Sequence, residues 1–291
     1  MTRVLISGFV GAGNLGDEAI LAGLAPALRA AGFAPAALSA APRATTALHD
    51  LPARHRLLGV PAALAASDAL VSGGGGLLQD RTSSRSLRYY LGVLRLARRL
   101  GKRVVVFGQS VGPLSPAGRR AVAQALAGVP ILVRDAPSHA LLAELGLEAA
   151  TGADPALRLA SATRGTPGGV GGGAADRPTL LIPRADVPGA EAAFVALARR
   201  VRADGERVVV AALEAGADAA AAQRIAAAAD AEVATWRDPW TAARDVAAAR
   251  RVASVRLHGL ILAAGAGVPH VGVGYDPKVA GFAAASGGTV V

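Results

Sequence analysis

The chain has 291 residues, a formal charge of +10, a hydrophobic share of 52% and only 3% aromatics. That length and apolar content suffice for one large or two ordinary domains, each with its own core. The absence of cysteine excludes disulfides, a thiolate zinc site and a cysteine nucleophile.

The positive charge opens acidic small molecules, nucleic acid and membrane surfaces as partners. The lysines among the 31 basic residues are Lys102 and Lys278, and the rest are arginine. Part of the charge therefore reflects residue usage, and nucleic acid is not expected as a partner. The N-terminus runs straight into an apolar strand without the pattern of a signal peptide, and no run nears the ~20 apolar residues of a membrane span. A cytoplasmic protein is expected, with peripheral contact at the inner membrane face left open.

Short Val/Leu/Ile runs alternate with Ala/Arg/Leu-rich stretches from end to end, the pattern of βαβ units and parallel sheets. Strands are predicted at 4–9, 36–39, 69–72, 104–107 and 131–133, with helices over 17–31, 85–100, 116–126 and 137–144. From 161 to 177 the pattern lapses into Gly, Thr, Pro and Ala, a linker composition. The rhythm resumes with strands at 179–182, 208–212, 232–234, 252–255 and 270–273. Two Rossmann-like α/β domains follow, 1–160 and 178–291, joined by a Gly-rich linker over 161–177. Ligands of such folds bind beyond the carboxyl ends of the strands, so residues there are the site candidates.

The first strand leads into Gly11-Ala12-Gly13-Asn14-Leu15-Gly16-Asp17-Glu18, formally the G-x-G-x-x-G of dinucleotide sites. No acid follows the second strand, so that reading survives only for NADP with Arg43. Otherwise the turn is a tight connection with Asp17 and Glu18 at a helix start, or a loop offering Asn14 and Asp17 to sugar hydroxyls. The third strand leads into Gly73-Gly74-Gly75-Gly76 and then Asp80. Gly75 and Gly76 let backbone amides approach an acceptor, and Asp80 is a candidate base.

The stretch 84–103 is a basic amphipathic helix, either lying on an anionic membrane or packed in the core with a solvated face. Gln109 and Ser110, after the fourth strand, either contact a ligand or cap a helix. Arg134-Asp135, after the fifth, is either an anion clamp or a structural ion pair. In the second half, Arg256-Leu257-His258-Gly259 and Tyr275-Asp276-Pro277-Lys278 follow successive strands, bringing three cations to one edge. Alternation about Leu257 puts Arg256 and His258 on one side of an extended segment. Such a cluster suits a small, multiply charged anion. His270, before an apolar strand, reads as structural.

Taken together, the turn at 11–20, the glycine run, 108–113, Arg134-Asp135, Gly152-Ala153-Asp154-Pro155, Arg256-Leu257-His258-Gly259 and the Lys278 segment resemble the polysaccharide pyruvyl transferase family, CsaB type. The resemblance implies a GT-B-like arrangement and phosphoenolpyruvate as donor; the chemistry requires no metal or other cofactor, and no ligand cluster in the sequence demands a metal. The resemblance also implies a pyruvate ketal on N-acetylmannosamine of a lipid-linked cell-wall precursor. It assigns the donor to Arg256 and His258, with Arg134 as a second arginine. The charge pattern adds Lys278 to the donor side, His258 as general acid, Asp80 or Asp17 as base, and Asn14, Asp17, Gly75, Gly76 and Gln109 on the acceptor side. A nucleotide-sugar GT-B glycosyltransferase and a non-catalytic NADP- or glycan-binding module are the alternatives.

Overall fold

In β1 (Thr2–Ser7), Leu5 and Ile6 point to opposite faces of a sheet, and each enters a separate buried cluster. In β2 (Phe33–Ser39), Ala37 and Leu38 divide in the same way. Strands buried on both faces read as continuous apolar runs, which is why the sequence pattern locates them.

The structure is a computed structural model and describes residues 1–166, 168–170, 176–274 and 276–291. It contains two units: Met1–Ala12 with Ile20–Pro155, and Gly13–Ala19 with Ala156–Val291. Each is a parallel α/β sheet, as expected.

The first unit's sheet includes β3 (Ala53–His55), β4 (Ala69–Leu78), β5 (Arg103–Val111), β6 (Ile131–Val133) and β7 (Ala150–Thr151), in the order β3-β2-β1-β4-β5-β6-β7. Helix α1 (Leu15–Ala30) contributes Leu21 and Leu24 to the cluster on one face. On the other face, α3 (Val60–Ala65), α4 (Ser84–Arg99), α5 (Pro116–Leu126) and α6 (Ala136–Glu144) bury Leu64, Leu91, Leu126 and Leu142. The apolar side of α4, with Leu87, Tyr90, Leu94 and Ala97, is therefore core, and the helix does not lie on a membrane by that face.

The glycine run corrects a second expectation. Gly73–Gly76 do not form a loop but continue β4, with Gly73 opposite Phe107 and Gly75 opposite Gln109 before the register shifts. A Cβ on Gly74 would lie 2.1 Å from Ile20 Cγ2, so the run lets α1 sit on the sheet.

The second unit's sheet has the order β10-β9-β8-β11-β12-β13, built from β8 (Thr179–Ile182), β9 (Val208–Ala211), β10 (Glu232–Ala234), β11 (Arg251–Ser254), β12 (His270–Gly272) and β13 (Thr289–Val290). Helices α8 (Ala190–Ala203) and α9 (Ala217–Ala229) cover one face through Phe194 and Ile225. Helix α11 (Leu257–Ala266) is buried nearly all round. Its Gly265 admits α7 (Ala156–Ala162): a Cβ there would stand 2.6 Å from Ala160 Cβ. Ser161 Oγ and Arg164 Nε also donate to the Gly265 carbonyl, at 3.3 and 2.8 Å.

Helix α7 thus groups with the second unit, whereas the expected first domain ran to residue 160. Within the expected linker, Pro167 and 171–175 lie outside the described residues. Gly169 and Val170 are bound, donating amide hydrogens to buried Asp245 at 2.6 and 3.2 Å. Gly265→Val should lower stability by roughly 1–3 kcal/mol through overpacking against α7, read as a drop in the denaturant midpoint. An unchanged midpoint would show that the two helices part without cost.

Candidate functional site

At the carboxyl edge of the second unit's sheet, adjacent strands β11 and β12 deliver Arg256, His258 and Lys278 through the starts of α11 and α12 (Pro277–Ala285). Asp276 caps α12, its carboxylate accepting the Lys278 amide at 2.9 Å. Tyr275 lies outside the described residues. The backbone therefore brings these three residues to neighbouring strand ends, but the local geometry differs from the extended segment expected. Helix α11 starts at Leu257, so Arg256 is its extended N-cap (φ −87°, ψ 125°) and His258 is already helical. Their side chains do not share a face by strand alternation.

Arg256 turns instead to two carboxylates. Its Nε donates to Asp218 Oδ2 at 2.7 Å, and its Nη2 lies 2.5 Å from both Asp218 Oδ2 and Glu214 Oε2. The side chain of Asp218 is 3% exposed and that of Glu214 41%, so the first is a fixed anchor and the second faces solvent. Asp218 Oδ1 also accepts the Ala185 amide at 2.9 Å, tying in the segment after β8. There the hydrogen bond from Arg184 holds Asp186 below its ordinary carboxylate pKa, with the Arg256 charge as a smaller contribution. Sequence reading missed Asp218 and Glu214. An acid in the first turn of a helix resembles an ordinary helix-start charge.

His258 is positioned from the other direction. A Cβ on Gly16 would lie 2.3 Å from His258 Nδ1, so only glycine lets the first turn meet the imidazole. That turn is fixed on the second unit: Leu15 donates its amide to Leu213 O at 2.7 Å, Ala215 donates to Gly13 O at 3.2 Å, and Asn14 bridges Glu214. The Asn14 side chain caps α1, its Oδ1 accepting the amides of Gly16 at 2.9 Å and Asp17 at 3.4 Å.

These bonds engage the amides a pyrophosphate would need. The dinucleotide reading of Gly11–Gly16, and Arg43 with it, loses its basis. The Asn14 side-chain carbonyl oxygen is used as a cap. Asp17 remains beside Gly16 at the start of α1.

Other candidates occupy the first unit. Arg134, its side chain 6% exposed, forms a buried ion pair with Asp154, and its Nε donates to Ser110 Oγ at 2.8 Å. Ser110 in turn donates to Asp135, which caps α6. Gln109 is fully buried and donates to Ser72 Oγ at 2.7 Å, while Gly75 is buried in the β4–β5 ladder, so neither is presented to an acceptor. Gly76, in the same strand, is partly exposed. Both Asp80 oxygens are engaged by Ser115, accepting its amide at 2.8 Å and its hydroxyl at 2.5 Å, so Asp80 braces the start of α5. His270 bonds Val268 O and Ser286 Oγ. No group of three or more metal-binding side chains occurs among the described residues.

Two parallel-sheet α/β units of this kind form an architecture shared with epimerases and GT-B glycosyltransferases of known structure. The chain is similar to the UDP-GlcNAc 2-epimerase from Neisseria meningitidis bound to UDP-GlcNAc (10% identity, TM-score 0.62, 100% of this chain and 87% of that one). It is also similar to the S. aureus MnaA–UDP complex (12%, 0.63, 96% and 81%) and a glycosyltransferase from Rickettsia africae (11%, 0.54, 94% and 79%). At these identities the likeness is one of fold. No curated protein matches the chain. The family model of polysaccharide pyruvyl transferase matches residues 14–277, and the chain belongs to that family.

Gly16→Ala should displace His258 and lower kcat/KM, with some fall in melting temperature because the added Cβ would also lie 2.8 Å from His258 Cβ. Combined with His258→Ala it should add nothing, because the two act through one contact; full additivity would separate them. Asp80→Asn should cost roughly 0.5–1.5 kcal/mol of stability with turnover intact. Loss of turnover in a normally stable variant would restore Asp80 as a base.

Proposed function

We propose that the chain transfers pyruvate from phosphoenolpyruvate to two hydroxyls of a sugar, forming a ketal and releasing phosphate. The observation that carries this reading is the edge where Arg256, His258 and Lys278 stand at the ends of adjacent strands. Phosphoenolpyruvate carries a carboxylate and a phosphate, and an arginine fork with an ammonium at the adjacent strand end matches such a multiply charged donor.

In the first step the donor's methylene carbon takes a proton, and positive charge develops on the neighbouring carbon. A sugar hydroxyl attacks that carbon. Its C–O bond to phosphate breaks, and the second hydroxyl closes the ring. Of the two hydroxyl protons, one balances the methyl group and the other leaves with phosphate.

His258, held beside the first turn by Gly16, is the acid. Asp17, on that same turn, is the candidate base. Arg256 grips the donor and Lys278 steadies departing phosphate. Glu214 is the exposed partner of Arg256, so the donor takes its place while Asp218 keeps the guanidinium oriented. Arg134 enters as a fixed buried charge, since its Nη1 and Nε are committed to Asp154 and Ser110. On the resemblance to the CsaB type, the acceptor is N-acetylmannosamine of a lipid-linked cell-wall precursor.

Arg256→Lys tests the donor clamp, because lysine keeps the charge but loses the planar fork. Loss of charge-assisted bonds should cost roughly 1.5–3 kcal/mol, on the order of tenfold to a hundredfold in kcat/KM. The readout is phosphate released from phosphoenolpyruvate with an N-acetylmannosaminyl acceptor, alongside a melting curve. Near-wild-type efficiency overturns the clamp. Release of a nucleoside diphosphate from UDP-sugars, with no phosphate from phosphoenolpyruvate, assigns the chain to glycosyl transfer.

A further inference from the structure

After β3, at the carboxyl edge of the first unit's sheet, a turn presents Leu57 and Leu58 to solvent at 63% and 87% exposure. Two adjacent, largely exposed leucines at one turn tip form a small apolar projection that a partner surface can take up. This turn cannot fold them back. His55 Nδ1 accepts the amides of Leu57 and Leu58 at 3.3 and 3.4 Å, and Gly59 donates its amide to His55 O at 2.8 Å. Tyr89 on α4 donates its hydroxyl to Arg56 O at 2.6 Å, and the Arg56 guanidinium lies 5.4 Å from the Phe9 ring centroid. The leucines are held outward by preorganised backbone.

Their surroundings are cationic. Arg54 precedes the turn and is exposed. Arg85 and Arg88, also exposed, lie within one helical turn of Tyr89 on α4, and residues 81–103 contain no Asp or Glu. The apolar side of α4 is in the core, so the helix supplies charge alone and the apolar contribution comes from the turn.

We propose that this turn and the outer face of α4 dock the first unit on an anionic phospholipid surface, with Leu57 and Leu58 entering the headgroup boundary and the arginines meeting lipid phosphates. A protein partner would need about 800 Å² of shaped surface on each side. Two leucines on a turn tip with diffuse cations around them suit a fluid anionic sheet better. The inference stands independently of pyruvyl transfer.

The test is co-flotation of the full chain with phosphatidylcholine vesicles, with and without phosphatidylglycerol. Binding should require phosphatidylglycerol and weaken with salt. The double variant Leu57→Ser with Leu58→Ser should bind at least about tenfold more weakly, and Arg85→Glu with Arg88→Glu on the order of tenfold to a hundredfold more weakly. Val233→Ser, which alters an exposed apolar residue on β10 of the second unit, should bind like the parent. All these positions are solvent-exposed, so melting curves should coincide. Failure to bind anionic vesicles, or unchanged binding by the double leucine variant, overturns the proposal. So does a leucine-dependent self-association in sedimentation, which would assign the patch to a second copy of the chain.

Discussion

One buried carboxylate organises the edge on which the proposed chemistry depends. Asp218 accepts from the Ala185 amide with one oxygen and from Arg256 with the other, so the connections after β8, β9 and β11 are locked to a common point. Arg256 then reaches Glu214, whose backbone is bridged to Asn14 in the turn that meets His258. Removing one partner of a buried ion pair leaves the other uncompensated. The positions of Arg256 and of the turn beside His258 are accordingly linked through shared neighbours.

That arrangement revises the picture of a bare cationic cluster. Around Arg256 the carboxylates of Glu214, Asp218 and Asp186 are interleaved with the cations, and Arg184 is paired with Asp186. On the proposed reading, an anion arriving at Arg256 exchanges with Glu214, the more exposed of its two carboxylate partners. With its cations already paired, such an edge attracts an anion less than a count of arginines suggests.

The parts legible in the sequence share a cause. Central strands such as β8 and β9 are covered on both faces and stand out as apolar runs, and the β–α rhythm between them was enough to put Arg256 and Lys278 on adjacent strand ends. Edge strands β3, β7 and β13, two or three residues long, carry no periodicity and are not among the predicted strands, whereas the equally short edge strand β10 is. Glycines misled for a different reason. Gly16 and Gly74 answer to His258 and Ile20, contacts made in three dimensions, while their spacing mimics phosphate and ligand loops. Asn14 and Asp80 read equally well as ligand contacts until their partners, the amides of α1 and Ser115, are known. Capping and binding use the same side-chain chemistry.

The second unit includes Gly13–Ala19 from the opposite end of the chain. In time as well as space this makes the site a closing event. The turn leaves the ribosome long before Leu213, its hydrogen-bond acceptor, and before His258, against which Gly16 rests. Helix α1 can settle on the first sheet early through Leu21 and Leu24, but its leading turn must wait for the second sheet to be completed. The imidazole therefore acquires its final surroundings only after the strands of the second sheet that lead to Leu213 and His258 have formed.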